Sequence, residues 1–305
     1  MVKIWIAHGT GLPLLGPLPR EGVRVEVAKS VAELPSDPSG VVFWVPPIPS
    51  GPGLTDLAAR MPDLHVVQLL SAGADAFAGR LPAGVTLCDA RGVHDSSVAE
   101  WVVAAVLAYV RDLPLFVRAQ ERGEWAYRGT GELAGKRVLI VGAGSIGHAV
   151  QARLLPFGVT VTRVARRPRA GVHGVEELPD LLPAADVVIL LVPLTPGTLG
   201  LASAGFLARL PDGALLVNAA RGPVVDTAAV TAEALTGRIG FATDVTDPEP
   251  LPPDHPLWHL PNVLITPHIA SAVPGLLRRG YSLVGDQLRR YLAGEPLDNV
   301  VSDGY

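Results

Sequence analysis

Apolar residues along this chain gather in short continuous runs, separated by turns bearing polar residues, glycine or proline. In the first 95 residues the runs are Val2–Ala7, Val23–Val27, Val41–Val45, His65–Leu69 and Val85–Cys88. Runs of this length without inside–outside alternation are what strands covered on both faces look like. Leu54–Arg60 reads as a helix between two of them. A second series follows at Arg137–Val141, Thr160–Val164, Val187–Leu191, Ala214–Asn218, Gly240–Asp244 and Val263–Thr266, with helical patterns between most of its members. Strand and helix alternating through both halves predicts two open α/β units.

Ser97-Val-Ala-Glu100 has the spacing of a capping box and predicts one long helix running to about Val117. It is apolar on several faces, so it must be widely buried, bridging domains or packing on a second subunit. Asp95 and Ser96 then mark a hinge, and Gln120–Gly135 a polar connection. A final helical pattern covers Pro274–Leu292, after the second sheet is complete. It is expected to cross back onto the first domain. The boundaries are then 1–95 plus 272–305 for one domain and 96–271 for the other.

Gly142-Ala-Gly144-Ser-Ile-Gly147 sits where the run Arg137–Val141 passes into a helix from Ser145 towards Leu155. Strand, glycine turn and helix in this order suit a dinucleotide pyrophosphate. Gly142 makes the turn, Gly144 lets the phosphates near the backbone, and Gly147 lets helix and strand pack closely. The helix N-terminus adds free N–H groups and a positive dipole end. An acid is expected about 20 residues further on for the ribose hydroxyls of NAD. Here the second strand ends Ala165-Arg166-Arg167. A carboxylate would repel a 2′-phosphate, whereas arginine forks bind one, so NADP(H) is the expected cofactor, with NAD(H) left open.

The totals narrow the partners. With 25 Lys and Arg against 29 Asp and Glu, the net charge of −4 gives no reason to expect nucleic acid or an acidic membrane. The longest apolar run, Val102–Val110, is far shorter than the ~20 residues of a membrane span. The first strand is too short for a signal-peptide core. A single cysteine, Cys88, excludes a disulfide framework and reads as a small buried hydrophobe in a reducing, cytoplasmic setting. Aromatics are only 5% of the chain, so Val, Leu and Ala build the interior.

Candidate chemistry concentrates at strand ends. Arg221 follows Leu215–Asn218, Glu249 lies in the loop after Gly240–Asp244, and His268 follows Val263–Thr266. Each could be a surface residue alone. Together, at carboxyl ends beside a nucleotide turn, they form a constellation. Two earlier segments are less decisive. Leu70-Ser-Ala-Gly-Ala-Asp75 is either a backbone cradle for a carboxylate or a plain strand-to-helix turn. Pro46-Pro-Ile-Pro-Ser-Gly-Pro52 is either a pocket wall or a surface loop.

Over nearly its whole length the sequence resembles the D-isomer-specific 2-hydroxyacid dehydrogenase family. The matching pieces include Ser71-Ala-Gly-Ala-Asp75, Val98-Ala-Glu-Trp101, the glycine turn, Val192-Pro-Leu-Thr-Pro196 and Asn218-Ala-Ala-Arg-Gly-Pro-Val-Val-Asp226. Asp244–Leu251, His255-Pro-Leu-Trp258 and Asn262-Val-Leu-Ile-Thr-Pro-His268 complete them. The resemblance implies two Rossmann-like, doubly wound α/β domains, the N-terminal one flavodoxin-like, substrate-binding and completed by the C-terminal helix. It implies reduction of a small 2-oxo acid to the D-2-hydroxy acid, with Arg221 gripping the carboxylate and polarising the oxo group. His268 would be the acid, or the base in reverse. Glu249 would bond its ring, fix the tautomer and favour the protonated form. Backbone at Ala72 and Gly73 would hold the other side of the substrate. Asp244 would meet the nicotinamide carboxamide. Val102, Gly142, Gly144, Ser145, Ile146, Gly147, Arg166, Arg167, Val192, Pro193, Ala219 and Ala220 would line the cofactor site. A homodimer on the helix after Ser97, cleft closure at the hinge and no metal complete the expectation.

Departures refine it. Formate-oxidising members carry glutamine where Glu249 stands, and phosphite-oxidising members a lysine near Ser71, so neither activity is expected. No regulatory domain is expected after residue 305. Glyoxylate, hydroxypyruvate and bulkier 2-oxo acids stay open. The competing reading is a nucleotide-sensing corepressor, which shares the fold and even the trio but usually carries extensions. An amine-acting nicotinamide enzyme has less support, because no catalytic lysine presents itself.

Overall fold

The computed structural model describes residues 1–18, 21–48, 51 and 53–302. Part of the Pro46–Pro52 segment, residues 49, 50 and 52, lies outside them. The chain divides into two compact units, Met1–His94 with the chain from Pro274 onward, and Asp95–Val273.

In the first unit, β1 (Val2–Ile6), β2 (Val23–Val27), β3 (Val41–Val45), β4 (Val66–Gln68) and β5 (Thr86–Cys88) form one parallel sheet in the order β2-β1-β3-β4-β5. This is a doubly wound, flavodoxin-like order. Alternation along the strands supplies two cores. Trp5 and Trp44 enter one with Leu54, Leu57 and Phe77, while Ile4, Ile6, Phe43 and Val45 enter the other. The terminal helix, Leu276–Ala293, closes the second core with Tyr281, Val284 and Leu288. Beyond it the chain pairs antiparallel with the edge of β5. Asp89 N donates to Asn299 O at 3.0 Å, and Val301 N to Leu87 O at 2.8 Å. The tail thus covers an edge that would otherwise stand open. Cys88 beneath it is buried, and burial pushes its thiol up to about 12, the inert behaviour expected of it.

In the second unit, β6 (Arg137–Val141), β7 (Thr160–Ala165), β8 (His173–Gly174), β9 (Val187–Leu190), β10 (Leu215–Asn218), β11 (Gly240–Thr243) and β12 (Val263–Ile265) form a parallel sheet. Its order is β12-β11-β10-β9-β6-β7-β8, so the order reverses between β6 and β9. Ligands gather beyond the carboxyl ends at such a switch point. Both faces are covered, with Leu139, Val188 and Leu216 packed to one side and Ile140, Ile189 and Val217 to the other. Among the described residues no helix is long and apolar enough to cross a membrane.

The local structure departs from expectation in four places. The long helix is two helices, Asp95–Val110 and Leu113–Glu121. Pro114 cannot donate to the preceding turn and its ring would clash there, and Asp112 reverses the chain at φ 51°. The first helix starts at Asp95, so Ser97 lies inside it, buried; Ser96 instead donates to Glu100, at 2.9 Å. The segment after Gly73 is a succession of turns, not a helix, ended by Gly79 and Pro82 before it can propagate. The two-residue strand β8 left no readable apolar run.

Candidate active site

The glycine turn is shaped by close approach. Gly142 leaves β6 at φ 120°, and a Cβ there would lie 2.5 Å from Leu191 O. A Cβ on Gly147 would lie 2.1 Å from Gly142 O, so the helix Ser145–Leu154 can seat on the turn only through glycine. Among the described residues nothing lies within 4 Å of the position a Cβ would take on Gly144, which caps that helix. The open space is thus at the glycine that faces the free helix N–H groups, the arrangement a pyrophosphate fits.

Ser145 Oγ donates to Asp95 Oδ1 at 3.0 Å, tying the two helix starts together. Ile146 is half-buried, and Val102 is fully buried in the core beneath this turn, with Ile140 and Ile189. Val192 and Pro193 follow β9, and the Pro193 carbonyl accepts from Thr198 Oγ1 at 2.6 Å. Ala219 and Ala220 follow β10, where Ala220 N donates to Asn218 Oδ1 at 3.1 Å. These segments therefore emerge at the carboxyl ends of adjacent strands. Arg166 and Arg167 are exposed in the turn beyond β7. A residue absent from the sequence reading joins them: Arg169 Nη2 donates to Ala143 O, inside the glycine turn, at 2.7 Å.

The trio is assembled by three neighbouring strand ends. After β12 the chain passes through Thr266 and Pro267 to His268, whose φ is 56°. Buried Asp244, at the end of β11, fixes this bend. Its carbonyl accepts from His268 N at 2.7 Å. Its Oδ1 accepts from Thr266 Oγ1 at 2.6 Å and Ile269 N at 2.8 Å, and its Oδ2 from Ala270 N at 2.8 Å. His268 Nδ1 meets Glu249 Oε1 at 2.7 Å, both side chains being about half exposed (48% and 45%). With Nδ1 held by a carboxylate, the proton-transfer position of the ring is Nε2.

Arg221 follows β10 in extended conformation, its Nη1 donating to Ala220 O at 2.7 Å, while buried Asn218 holds Arg221 O through Nδ2 at 3.0 Å. The next residue, Gly222, runs against the loop that carries Glu249. A Cβ there would fall 1.9 Å from Thr246 O. Thr227 Oγ1 adds a bond to Asp247 O at 2.8 Å. The arginine turn and the glutamate loop are thus locked to one another.

Ala72 and Gly73 lie past β4 in the other unit, both half-buried. Ser71 Oγ donates to Gly73 O at 2.7 Å, and His94 Nε2 contacts Leu70 O at 2.7 Å, so side chains brace this turn. Among the described residues no group of His, Cys, Asp and Glu could hold a metal ion.

The chain is similar to known proteins of one family. A family model described as the NAD-binding domain of D-isomer specific 2-hydroxyacid dehydrogenases matches residues 103–270. A formate dehydrogenase of Arabidopsis thaliana is 35% identical over 238 residues, 73% of this chain and 62% of the plant protein, so this chain spans less than two thirds of that relative. A glyoxylate reductase of Thermofilum pendens is 36% identical over 249 residues, 77% of this chain and 74% of the archaeal one. A D-isomer specific 2-hydroxyacid dehydrogenase from Xanthobacter autotrophicus, solved with NADPH and MES, superposes with a TM-score of 0.85 at 35% identity, covering 99% of this chain and 98% of the other.

Proposed function

Because the chain belongs to the D-isomer specific 2-hydroxyacid dehydrogenase family, we propose that it reduces a small 2-oxo acid of the glyoxylate or hydroxypyruvate type to the D-2-hydroxy acid, preferring NADPH over NADH. The observation that carries this reading is the Glu249–His268 contact at 2.7 Å beside Arg221. When bound, the nicotinamide cofactor supplies the hydride that adds to C2. His268 donates a proton from Nε2 to the carbonyl oxygen as charge develops there, with Glu249 holding Nδ1–H and fixing the tautomer. The Arg221 guanidinium grips the substrate carboxylate and polarises the oxo group. Backbone N–H groups at Ala72 and Gly73 are assigned to substrate binding in the same reading. Assembly as a homodimer through the helix that begins at Asp95 belongs to the same reading.

Formate oxidation is the second reading, favoured by the plant relative. Its chemistry is a hydride loss with no oxygen to protonate, so a carboxylate-backed histidine has no acid to supply. The preference for NADPH rests on exposed Arg166 and Arg167 and on the alanine that ends β7. It is supported, for a relative, by NADPH in the Xanthobacter structure.

The test follows nicotinamide absorbance with NADPH and with NADH against glyoxylate, hydroxypyruvate, pyruvate and phenylpyruvate, and with formate and either oxidised cofactor. Turnover of a 2-oxo acid, faster with NADPH, is the expected result. An NADH preference overturns the cofactor assignment. Formate oxidation without 2-oxoacid reduction overturns the reaction.

A further inference from the structure

We propose that Arg279 is a positioning residue for the substrate, setting the Leu70–Gly73 turn through His94; the inference rests on the assignment of that turn to substrate binding in the reading above. The first link is the guanidinium. Arg279 lies near the start of the terminal helix, its backbone N–H donating to Gly275 O at 3.1 Å. Its Nε donates to Val93 O at 2.8 Å, a bond across 186 positions. Val93 precedes His94, where the chain leaves the first unit, and Pro274, where it returns, stands just ahead of the helix. The bond thus ties the leaving segment to the returning one. The second link is His94, whose Nε2 donates to Leu70 O at 2.7 Å. Val93, His94 and Leu70 are all buried, so water does not compete for either bond. The helix also touches Leu70 directly. Gly280 is buried, and a Cβ there would lie 3.0 Å from Leu70 Cδ2.

The turn is held by its carbonyls. Those of Leu69, Leu70, Ser71 and Gly73 accept in order from Gln68 Nε2, His94 Nε2, Ala90 N and Ser71 Oγ. His94 is the grip at its start, and Arg279 holds the residue that delivers His94. The guanidinium is also a poor choice for support alone. Among the described residues Arg279 Nη2 is buried with no hydrogen-bond acceptor. A buried N–H of a charged group left without an acceptor costs stability, so such a group calls for a reason beyond the fold. An apolar side chain of similar length would fill the same place without that cost. What the arginine adds is direction: a planar, rigid donor fixes the Val93 carbonyl more tightly than a flexible ammonium can. Glycine at the helix start leaves the fork its room, since a Cβ on Gly275 would lie 2.7 Å from Arg279 Nη1.

The test separates positioning from support. Steady-state kinetics with NADPH and the 2-oxo acid that the wild type turns over fastest, NADPH binding by fluorescence, and thermal unfolding would be measured side by side. The proteins are the wild type, Arg279→Met, Arg279→Lys, His94→Leu and the double variant of Arg279→Met with His94→Leu. Arg279→Met should raise KM about fivefold or more, the scale of one lost bond, with kcat and NADPH affinity within about twofold of the wild type. Its unfolding midpoint should be no lower, because the buried unpaired N–H goes with the guanidinium. Arg279→Lys keeps a donor for Val93 O without the rigid fork and should recover part of the loss in KM. His94→Leu should raise KM to a similar extent. The double variant should exceed the worse single variant by no more than about twofold, since the two residues act in series. Unchanged KM in Arg279→Met overturns the proposal. So does a fall in kcat and NADPH affinity alongside KM, or a lowered unfolding midpoint, loss of the fold included; either makes Arg279 a staple of the fold. Single effects that multiply in the double variant overturn the route through His94. A wild type that reduces no 2-oxo acid refutes the reading of the reaction itself, and the proposal with it. Wild-type turnover with KM unchanged in Arg279→Met refutes the proposal alone.

Discussion

His268 sits at φ 56°, a conformation that costs a residue with a Cβ on the order of 1 kcal/mol. The bend persists because Asp244 accepts from His268, Thr266, Ile269 and Ala270 around it. The ring therefore arrives at Glu249 already oriented. Replacing His268 by alanine removes the acid, and kcat should fall by roughly 10²–10⁴-fold with cofactor binding retained. Glu249→Gln keeps the shape but can present the wrong hydrogen-bonding partner to Nδ1. A drop of roughly 10–10²-fold in kcat, with substrate KM little changed, is expected from steady-state kinetics. The sequence could single out Glu249 and His268 because each follows a strand end in an α/β chain, and the structure brings their side chains into contact. The bond from Arg169 to Ala143 O was not readable, since it spans 26 positions and no local pattern encodes it.

At the level of elements, the strands other than β8 were readable as apolar runs and moved by only a residue or so at their ends. The helix Asp95–Val110 shows the limit. Its apolar pattern runs on through Arg111, while the backbone breaks at Asp112 for a reason located at Pro114. Two loops shaped by crossing, those of Arg221 and Glu249, give a sharp test. Gly222→Ala would force its Cβ against Thr246 O and displace one loop from the other. Activity should fall at least about tenfold while NADPH binding, measured by fluorescence, stays within about twofold.

Strand β2 offers a test unrelated to catalysis. Glu26 is buried, which raises its pKa, but bonds from Ser36 Oγ and Trp5 Nε1 and the nearby Arg24 outweigh burial and hold it below its ordinary 4.5. A carboxylate depressed on folding stabilises the fold above pH 4.5, and that contribution is lost as pH falls through the folded value. Glu26→Gln should therefore cost about 1 kcal/mol in urea unfolding at neutral pH. The gap from wild type should narrow as pH falls below 4.5.

Across the whole molecule, the first sheet needs the last helix. Tyr281, Val284 and Leu288 complete a core begun by Ile4 and Ile6, residues separated by almost the full chain. The sequence signals this return only indirectly, by leaving a helix over once the second sheet is full. The strand pairing that follows it, at Asn299 and Val301, has no apolar pattern to announce it. Buried Gln287 shows its weight. Its amide donates to Gln68 Oε1 at 2.9 Å and Asp298 O at 2.7 Å, and accepts from Asp298 N at 2.9 Å. Ending the chain after Glu295 would strand that amide, and a loss of about 1–3 kcal/mol, seen as a lower unfolding midpoint, is expected.

The central claim is that His268, backed by Glu249, protonates the carbonyl oxygen of a 2-oxo acid gripped by Arg221 while hydride adds to one face of C2. Hydroxypyruvate gives a chiral product, so the decisive measurement is reduction with NADPH followed by chiral separation of the glycerate. D-glycerate from the wild type, formed at least about 10²-fold more slowly by His268→Ala, is the result expected. L-glycerate, a racemic product, or turnover by His268→Ala within about tenfold of the wild type would contradict the account.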